Sequence, residues 1–244
     1  MGFIKKLNDT TKCCDLAECY KKQLNNNYVF CYSYNHKSIP FVNDETKYII
    51  VGTFTPPVAT TNDDRSEKNE QKMNNCYFYW SKSPKQITYK LLDYALDPQY
   101  KLENAKNNND VQSIKNILSE YGIAFLDVIE CAIAPNDNTD DDEILNYCLD
   151  LNTFEYIFDK YPNIQYLPNS KNALEALKKI KKEIKKEIKI KVINFGDRRE
   201  LPFFQNPRCA RYGENKTLDL LKRQYKDALT EGEPSTDEYT FELI

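Results

Sequence analysis

Four short apolar runs rich in β-branched residues, 47-KYIIVGTF-54, 121-YGIAFLDVI-129, 163-NIQYL-167 and 188-IKIKVINF-195, are separated by stretches with helical periodicity. The helical patterns fall at roughly 84–97, 110–120, 139–160, 170–187 and 214–230. Strands alternating with helices in this way predict an α/β fold whose parallel sheet is covered on both sides. At 244 residues the chain is long enough for one large domain of this kind or two small ones. In 139-TDDDEIL-145, Thr139 reads as an N-cap with acids in the first turn, where the helix dipole favours them. That explains the acidic cluster without a metal.

Two long segments break the alternation. The first, 55-TPPVATTNDDRSEKNEQKMNNCYFYWSKS-83, begins with a Pro-Pro pair and passes through a charged, Asn-rich middle. The second, 196-GDRRELPFFQNPRCARYG-213, holds two prolines, two phenylalanines and four arginines. Loops of such length inside a compact domain are usually functional or disordered. Both leave the carboxyl end of a predicted parallel strand, which is where open α/β sheets bind ligands. The first 36 residues, with a helix-like 12–25 and an aromatic run 28-YVFCYSY-34, read as an extension packed at the edge of a domain over 37–232, and 233–244 reads as a tail.

Charge and cysteine content narrow the partners. The net charge of −3 is uneven: residues 137–159 carry eight acidic side chains and no basic one, whereas 171–191 carry nine Lys against three Glu. Residues 197–226 carry eight Lys or Arg against four Asp or Glu, so one side is expected to be basic. For 177-LKKIKKEIKKEIKIK-191 the plain reading is a helix burying Leu177, Ile180, Ile184 and Ile188, with its lysines solvated. Cys13, Cys14 and Cys19 cluster, the other five of the eight cysteines are scattered, and no CxxC pair occurs, so no metal is expected. His36, the single histidine, excludes two-histidine zinc motifs. No run approaches the roughly 18 apolar residues of a membrane span, and the opening MGFIKKLNDTTKCC lacks the apolar core of a signal peptide. The expectation is an intracellular protein with reduced thiols and no membrane contact.

The stretch 76-CYFYWSKSPKQITYKLL-92 sets five aromatics and one amide, Gln86, around a Ser-Pro turn at a helix start. Such density fits either core packing or a pocket for a planar base. Taken in order with IPFVNDETKYIIVGTFTPP, YGIAFLDVIECAIAP, NIQYLPNSKNALEAL and LPFFQNPRCARYGENKTLDLLKRQY, it resembles the uracil-DNA glycosylase superfamily, and within it the hypoxanthine-DNA-glycosylase-like branch. That branch has a strand ending in a G-[ST]-[FM]-P turn, an aromatic pair leading into P-[RQ]-N-x-[FI]-W, G-I-x-x-x-D-V on the second strand, and an L-P-S-x-S-P segment closing in Arg-Tyr. The similarity covers about residues 39–230. It implies a three-layer α/β/α fold with a central four-stranded, mostly parallel sheet, DNA as partner and no cofactor.

What the resemblance implies chemically is excision of a flipped base. Cleaving the N-glycosidic bond passes through an oxocarbenium-like state, so a water must be held near the sugar carbon and the departing base hydrogen-bonded as it gains charge. The base leaves the stack and lies between apolar surfaces, while Pro turns and helix N-termini hold the flanking phosphates. Carried over residue by residue, Gly52, Thr53, Phe54 and Thr55 match the first turn, with Phe54 stacking where other branches hold a water-activating acid or amide. Phe78 and Tyr79 are the aromatic lead-in. Pro84, Lys85 and Gln86 match P-[RQ]-N, and Gln86 keeps the amide with one extra methylene; Tyr89 replaces the branch's Trp, and residues 82–83 stand as an insertion. Asp127 matches the second-strand acid, with two readings open: orienting water, or a structural hydrogen bond. Leu201, Pro202, Pro207, Arg211 and Tyr212 keep the last frame. Phe203 and Phe204 replace hydroxyl residues, either wedging into a base stack or packing under the last helix. Arg208 and Arg211 supply charged phosphate donors.

The resulting expectation is a monofunctional glycosylase for a modified or deaminated base, with Gln86 and Asp127 catalytic. Gly52, Thr53, Phe54, Thr55, Phe78 and Tyr79 form the base site, and Pro84, Lys85, Pro202, Phe203, Phe204, Arg208 and Arg211 contact DNA. Some members of the superfamily act against modified phage DNA, which the altered pocket leaves open. The alternative is a glycosylase-fold protein that has lost catalysis and binds DNA or a protein partner through the same face. A small-nucleotide hydrolase is weaker, since only 6 Gly occur and none forms a phosphate-cradling loop.

Overall fold

A computed structural model describes residues 28–32, 42–53, 88–96, 99–108, 110–135, 146–194, 214–230 and 239–244. In chain order the described elements are β1 (Tyr28–Tyr32), β2 (Tyr48–Gly52), α1 (Thr88–Leu96), α2 (Lys101–Asn107), α3 (Val111–Glu120), β3 (Ile123–Asp127), β4 (Ile129–Pro135) and β5 (Asn146–Leu149). There follow α4 (Leu151–Lys160), β6 (Gln165–Pro168), α5 (Lys171–Ile184), β7 (Lys189–Asn194), α6 (Glu214–Leu229) and β8 (Thr240–Leu243). The chain is α/β, and its larger sheet has the order β3-β2-β6-β7-β8. The first four of these strands are mutually parallel and β8 is antiparallel to β7. Among the described residues no helix is long and apolar enough to cross a membrane.

All five residues of β2 are buried, which fits a strand bonded on both edges and covered on both faces. Successive side chains point to opposite faces, and the packing follows that alternation. Ile49 and Val51 join one cluster with Phe154 of α4 and Leu174, Leu177 and Ile180 of α5. Tyr48 and Ile50 join a second with Leu91 and Leu92 of α1, Ile114 and Leu118 of α3, and Leu221 and Tyr225 of α6. Leu91 and Leu92, at the end of the aromatic stretch 76–92, are fully buried.

Local chemistry sets the helix starts. Asp110, Asp150 and Ser170 are N-caps whose side chains accept the backbone N–H of Ser113, Thr153 and Ala173, satisfying donors that a first helical turn leaves open. At the other end of α5, Lys185 adopts a left-handed conformation (φ 54°) that stops the helix. Ile188, assigned by periodicity to that helix, is instead buried at the entry to β7.

The predicted helix over 139–160 is corrected in its middle. Asn146–Leu149 form β5, and the helix begins only after Asp150. The strand wins because Tyr147 and Cys148 are buried against β4, with Cys131 opposite Cys148 and Ala132 opposite Tyr147 in an antiparallel ladder. The proposed cap Thr139 lies outside the described residues. β4 also pairs with β1, giving a separate sheet of order β1-β4-β5, so the aromatic run near the N-terminus is a strand at one side of a small sheet. Reduced thiols do not hold at Cys131, which is disulfide-bonded, whereas Cys148 keeps its thiol.

The sheet has a fifth strand beyond the four expected. Residues 240–243, set apart in sequence as part of a tail, pair with 191–194 as β8. The buried ammonium of Lys191 donates to the Ala228 carbonyl at 2.8 Å, near the end of α6, and lies 4.9 Å from the Phe241 ring and 5.5 Å from the Tyr48 ring. A cation at a helix C-terminus between aromatic faces is favourable on both counts. Tyr239 adds a hydroxyl bond to Asp227 at 2.6 Å, joining the final segment to the same helix.

Two buried polar groups on neighbouring helices predict opposite mutational signs. Asp93 on α1 is fully buried and accepts the backbone N–H of Leu102 (3.0 Å) and Glu103 (2.8 Å), capping α2 from outside. Gln224 on α6 is equally buried, yet both atoms of its amide lack a hydrogen-bond partner among the described residues. Urea denaturation of Asp93→Ala is expected to show a loss of about 2–4 kcal/mol, since two donors lose a charged acceptor. Gln224→Met should gain about 1–2 kcal/mol, because it removes an unsatisfied amide at similar volume. A destabilised Gln224→Met would contradict this account.

Candidate functional site

Parallel strands present their carboxyl ends along one edge of the sheet, and three segments meet there. β2 ends in Gly52 and continues to Thr53, β3 ends in Asp127, and β6 runs through Pro168 and Asn169 into the N-cap Ser170. Gly52 and Asp127 are register partners, as are Val51 and Pro168, so the strand-end carboxylate and the loop before α5 flank the Gly-Thr turn on either side.

The turn is held by its backbone. The carbonyl of Val51 accepts Asn169 N–H (2.9 Å), that of Gly52 accepts Val128 N–H (3.0 Å) and that of Thr53 accepts Ile129 N–H (3.2 Å). Three successive carbonyls are therefore fixed by two different neighbours, which holds the Gly52–Thr53 turn in place. Thr53 is 7 % exposed and its hydroxyl lies 3.1 Å from that of Ser170. Because Ser170 Oγ already accepts the N–H of Ala173 at 3.1 Å, its proton is available to Thr53. Asp127 and Asn169 are 7 % and 8 % exposed at the same edge. The amino end of α5, the positive end of its dipole, opens onto this group.

Beside the edge lies a pair of acids that sequence reading overlooked. Asp150 caps α4 through Thr153 N–H at 3.1 Å, and its own N–H donates to the Val128 carbonyl next to Asp127. Glu130 on β4 is half-buried, and this desolvation, together with the nearby Asp150 carboxylate, raises its pKa above the usual carboxylate range. The signal existed in D-V-I-E, which puts an acid three residues beyond Asp127, but the pairing of β4 with β5 that brings Asp150 near was invisible. Among the described residues no group of three or more His, Cys, Asp and Glu is assembled for a metal ion.

Of the residues singled out in sequence, the structure brings together Gly52, Thr53 and Asp127. Tyr89, the stand-in for the branch's Trp, is core: it is 3 % exposed and meets Phe125 edge-on at 6.4 Å. Phe54, Thr55, Phe78, Tyr79, Pro84, Lys85, Gln86, Pro202, Phe203, Phe204, Arg208 and Arg211 lie outside the described residues. A cleft of about 370 Å³ lies at the other end of the strands, where Tyr48 and Gln165 begin β2 and β6, and Lys47, Lys160, Tyr161 and Asn163 help to line it. It is remote in topology from the carboxyl edge. In comparisons with known proteins, no family model, no curated protein and no solved structure matches the chain.

The shift at Glu130 carries a sign for stability. An acid whose pKa is raised in the folded state is best tolerated when protonated, so its contribution is full below the ordinary carboxylate range and is lost as pH rises through the raised value. Glu130→Gln is therefore expected to raise Tm at pH 7 relative to the parent and to narrow the gap near pH 4. Thermal melts at the two pH values measure it, and an equal Tm change at both would show that Glu130 acts by packing alone.

Proposed function

We propose that the chain is a monofunctional DNA glycosylase that flips a modified or deaminated base and hydrolyses its N-glycosidic bond. One observation carries the reading: Gly52–Thr53 and Asp127, singled out by resemblance from segments some seventy residues apart, are adjacent across β2 and β3 at the ligand-binding edge of a parallel sheet. The finer architecture belongs to the same proposal. The four parallel strands would form the central sheet of a three-layer α/β/α glycosylase-like domain, with β8 as an added edge.

The assigned roles follow from chemistry. Thr53, fixed through its carbonyl and paired with Ser170, orients the turn on which Phe54 stacks against the extruded base. The backbone and hydroxyl donors at the head of α5 suit a phosphate flanking that base. Gln86 contacts the base or the attacking water through its amide. Asp127, at 7 % exposure, is buried enough to hold one water or one backbone donor in a fixed direction. The same burial also favours the second reading, in which Asp127 is purely structural and the edge binds DNA without cleaving it.

The test is direct. Duplex and single-stranded DNA containing uracil, hypoxanthine, xanthine, or hydroxymethylated or glucosylated cytosine is incubated with the protein and assayed for alkali-labile sites. At least one of these substrates is expected to yield abasic sites, and Gln86→Ala and Asp127→Asn are each expected to slow that reaction on the order of 10²-fold, the scale at which a misplaced or missing polar group damages catalysis. An unchanged rate for Gln86→Ala removes that residue from the site. DNA binding with no abasic product from any substrate favours the binding-only reading.

A further inference from the structure

Helix α5 sorts its lysines into two kinds. Its inner face buries Ala173, Leu174, Ala176, Leu177 and Ile180. At 100° per residue the opposite face carries Lys171, Lys178 and Lys182, and Lys185 follows at the C-cap; all four are exposed. Two lysines off this ridge are neutralised: Lys181 lies 2.9 Å from Glu187, and Lys186 bridges Glu155 (3.2 Å) and Asp159. Along the ridge, Lys178 has Glu175 at 3.4 Å. Lys171, Lys182 and Lys185 have no carboxylate within ion-pair distance among the described residues. The nearby carboxylates thus serve mainly the flank, and on the ridge only Lys178 is paired among the described residues.

We propose that this outer ridge of α5 is a nucleic-acid surface that carries a strand's phosphates away from the carboxyl edge of the sheet. The occupant follows from charge complementarity and continuity. The row begins at Lys171, directly after Ser170, whose hydroxyl touches Thr53 at the edge described above. From Lys171 to Lys185 it runs roughly 21 Å at about 1.5 Å per residue, a length over which one strand of B-DNA presents on the order of six phosphates. Lysine suits this task because a flexible ammonium follows a backbone without reading sequence. This inference rests on the reading that the edge binds DNA, but not on catalysis there.

The experiment compares the parent with Lys178→Gln/Lys182→Gln/Lys185→Gln by fluorescence anisotropy on labelled DNA of about 8 and about 24 nucleotides across a salt series, with circular dichroism to check folding. Contact with the ridge predicts that the log–log salt slope falls by about 2–3, near 0.9 per lost phosphate contact. It also predicts that affinity for the longer DNA drops by about 10-fold or more, while the shorter DNA is hardly affected. In a second measurement on the unmodified chain, the 24-nucleotide DNA should protect Lys182 and Lys185 from acetylation, with Lys160 as the unprotected control. An unchanged slope together with unprotected lysines overturns the proposal, as does ridge-dependent binding to vesicles of equal parts phosphatidylserine and phosphatidylcholine with none to DNA. The two readings fail separately. Ridge-dependent binding without abasic sites removes the glycosylase function alone, and abasic-site formation with an unchanged slope and unprotected lysines removes the ridge alone.

Discussion

Everything described around the carboxyl edge depends on β2 being bonded along both of its sides. It lies between β3 and β6, and its alternating side chains supply both hydrophobic clusters. Complete burial of Ile49, Ile50 and Val51 contributes about 1.5–3 kcal/mol each, which fixes the strand firmly relative to helices on either face. The backbone bonds from Asn169, Val128 and Ile129 to the carbonyls of Val51, Gly52 and Thr53 then extend that order past the end of the strand. The Gly52–Thr53 turn is thereby a rigid element at the carboxyl edge of the sheet.

Several other features are consequences of the same arrangement. Val128 lies between Asp127 and Ile129 and bonds back to Gly52, so the chain passes from the larger sheet into the smaller one without leaving the edge. This brings Glu130 and the cap Asp150 alongside the candidate residues and accounts for the raised pKa of Glu130. On the far side of the sheet, the Lys191 ammonium links Ala228 of α6 to β8 through the ring of Phe241. A buried cation is tolerated there because a carbonyl dipole and aromatic faces replace water.

Much of this was legible locally. The runs at 47–54 and 188–195 contain β2 and β7, the run at 163–167 holds all of β6 but its last residue, and the helical patterns at 110–120, 170–187 and 214–230 contain α3, α5 and α6. Each is strongly periodic or continuously apolar, and tertiary contacts reinforce the local preference. Reading failed where the two disagree. Ile144, Tyr147, Leu151 and Phe154 share helical spacing, yet Tyr147 is taken by a strand because β4 offers it an antiparallel partner. Helix α2 was missed because K-L-E-N-A-K-N has little apolar stripe, and its first turn is capped by Asp93, eight residues before it begins. Within the candidate site, Gly52, Thr53 and Asp127 were found from motif order, whereas Ser170 and Asn169 were passed over because their meaning lies in contact with a residue more than a hundred positions away.

By itself the sequence determined the alternation of strand and helix, the mostly apolar character of the strands that must be buried, and the helix starts near residues 110 and 170. These are properties of a few neighbouring residues, set by side-chain period and by the donors that a first helical turn leaves open. Only the tertiary structure decided the order β3-β2-β6-β7-β8, the change of 146–149 from helix to strand, the inclusion of the final residues in the sheet, and the meeting of Thr53 with Ser170 and of Gly52 with Asp127. Such pairings are chosen by competition among distant segments for the same edge and the same apolar surface, and no local period records which segment wins.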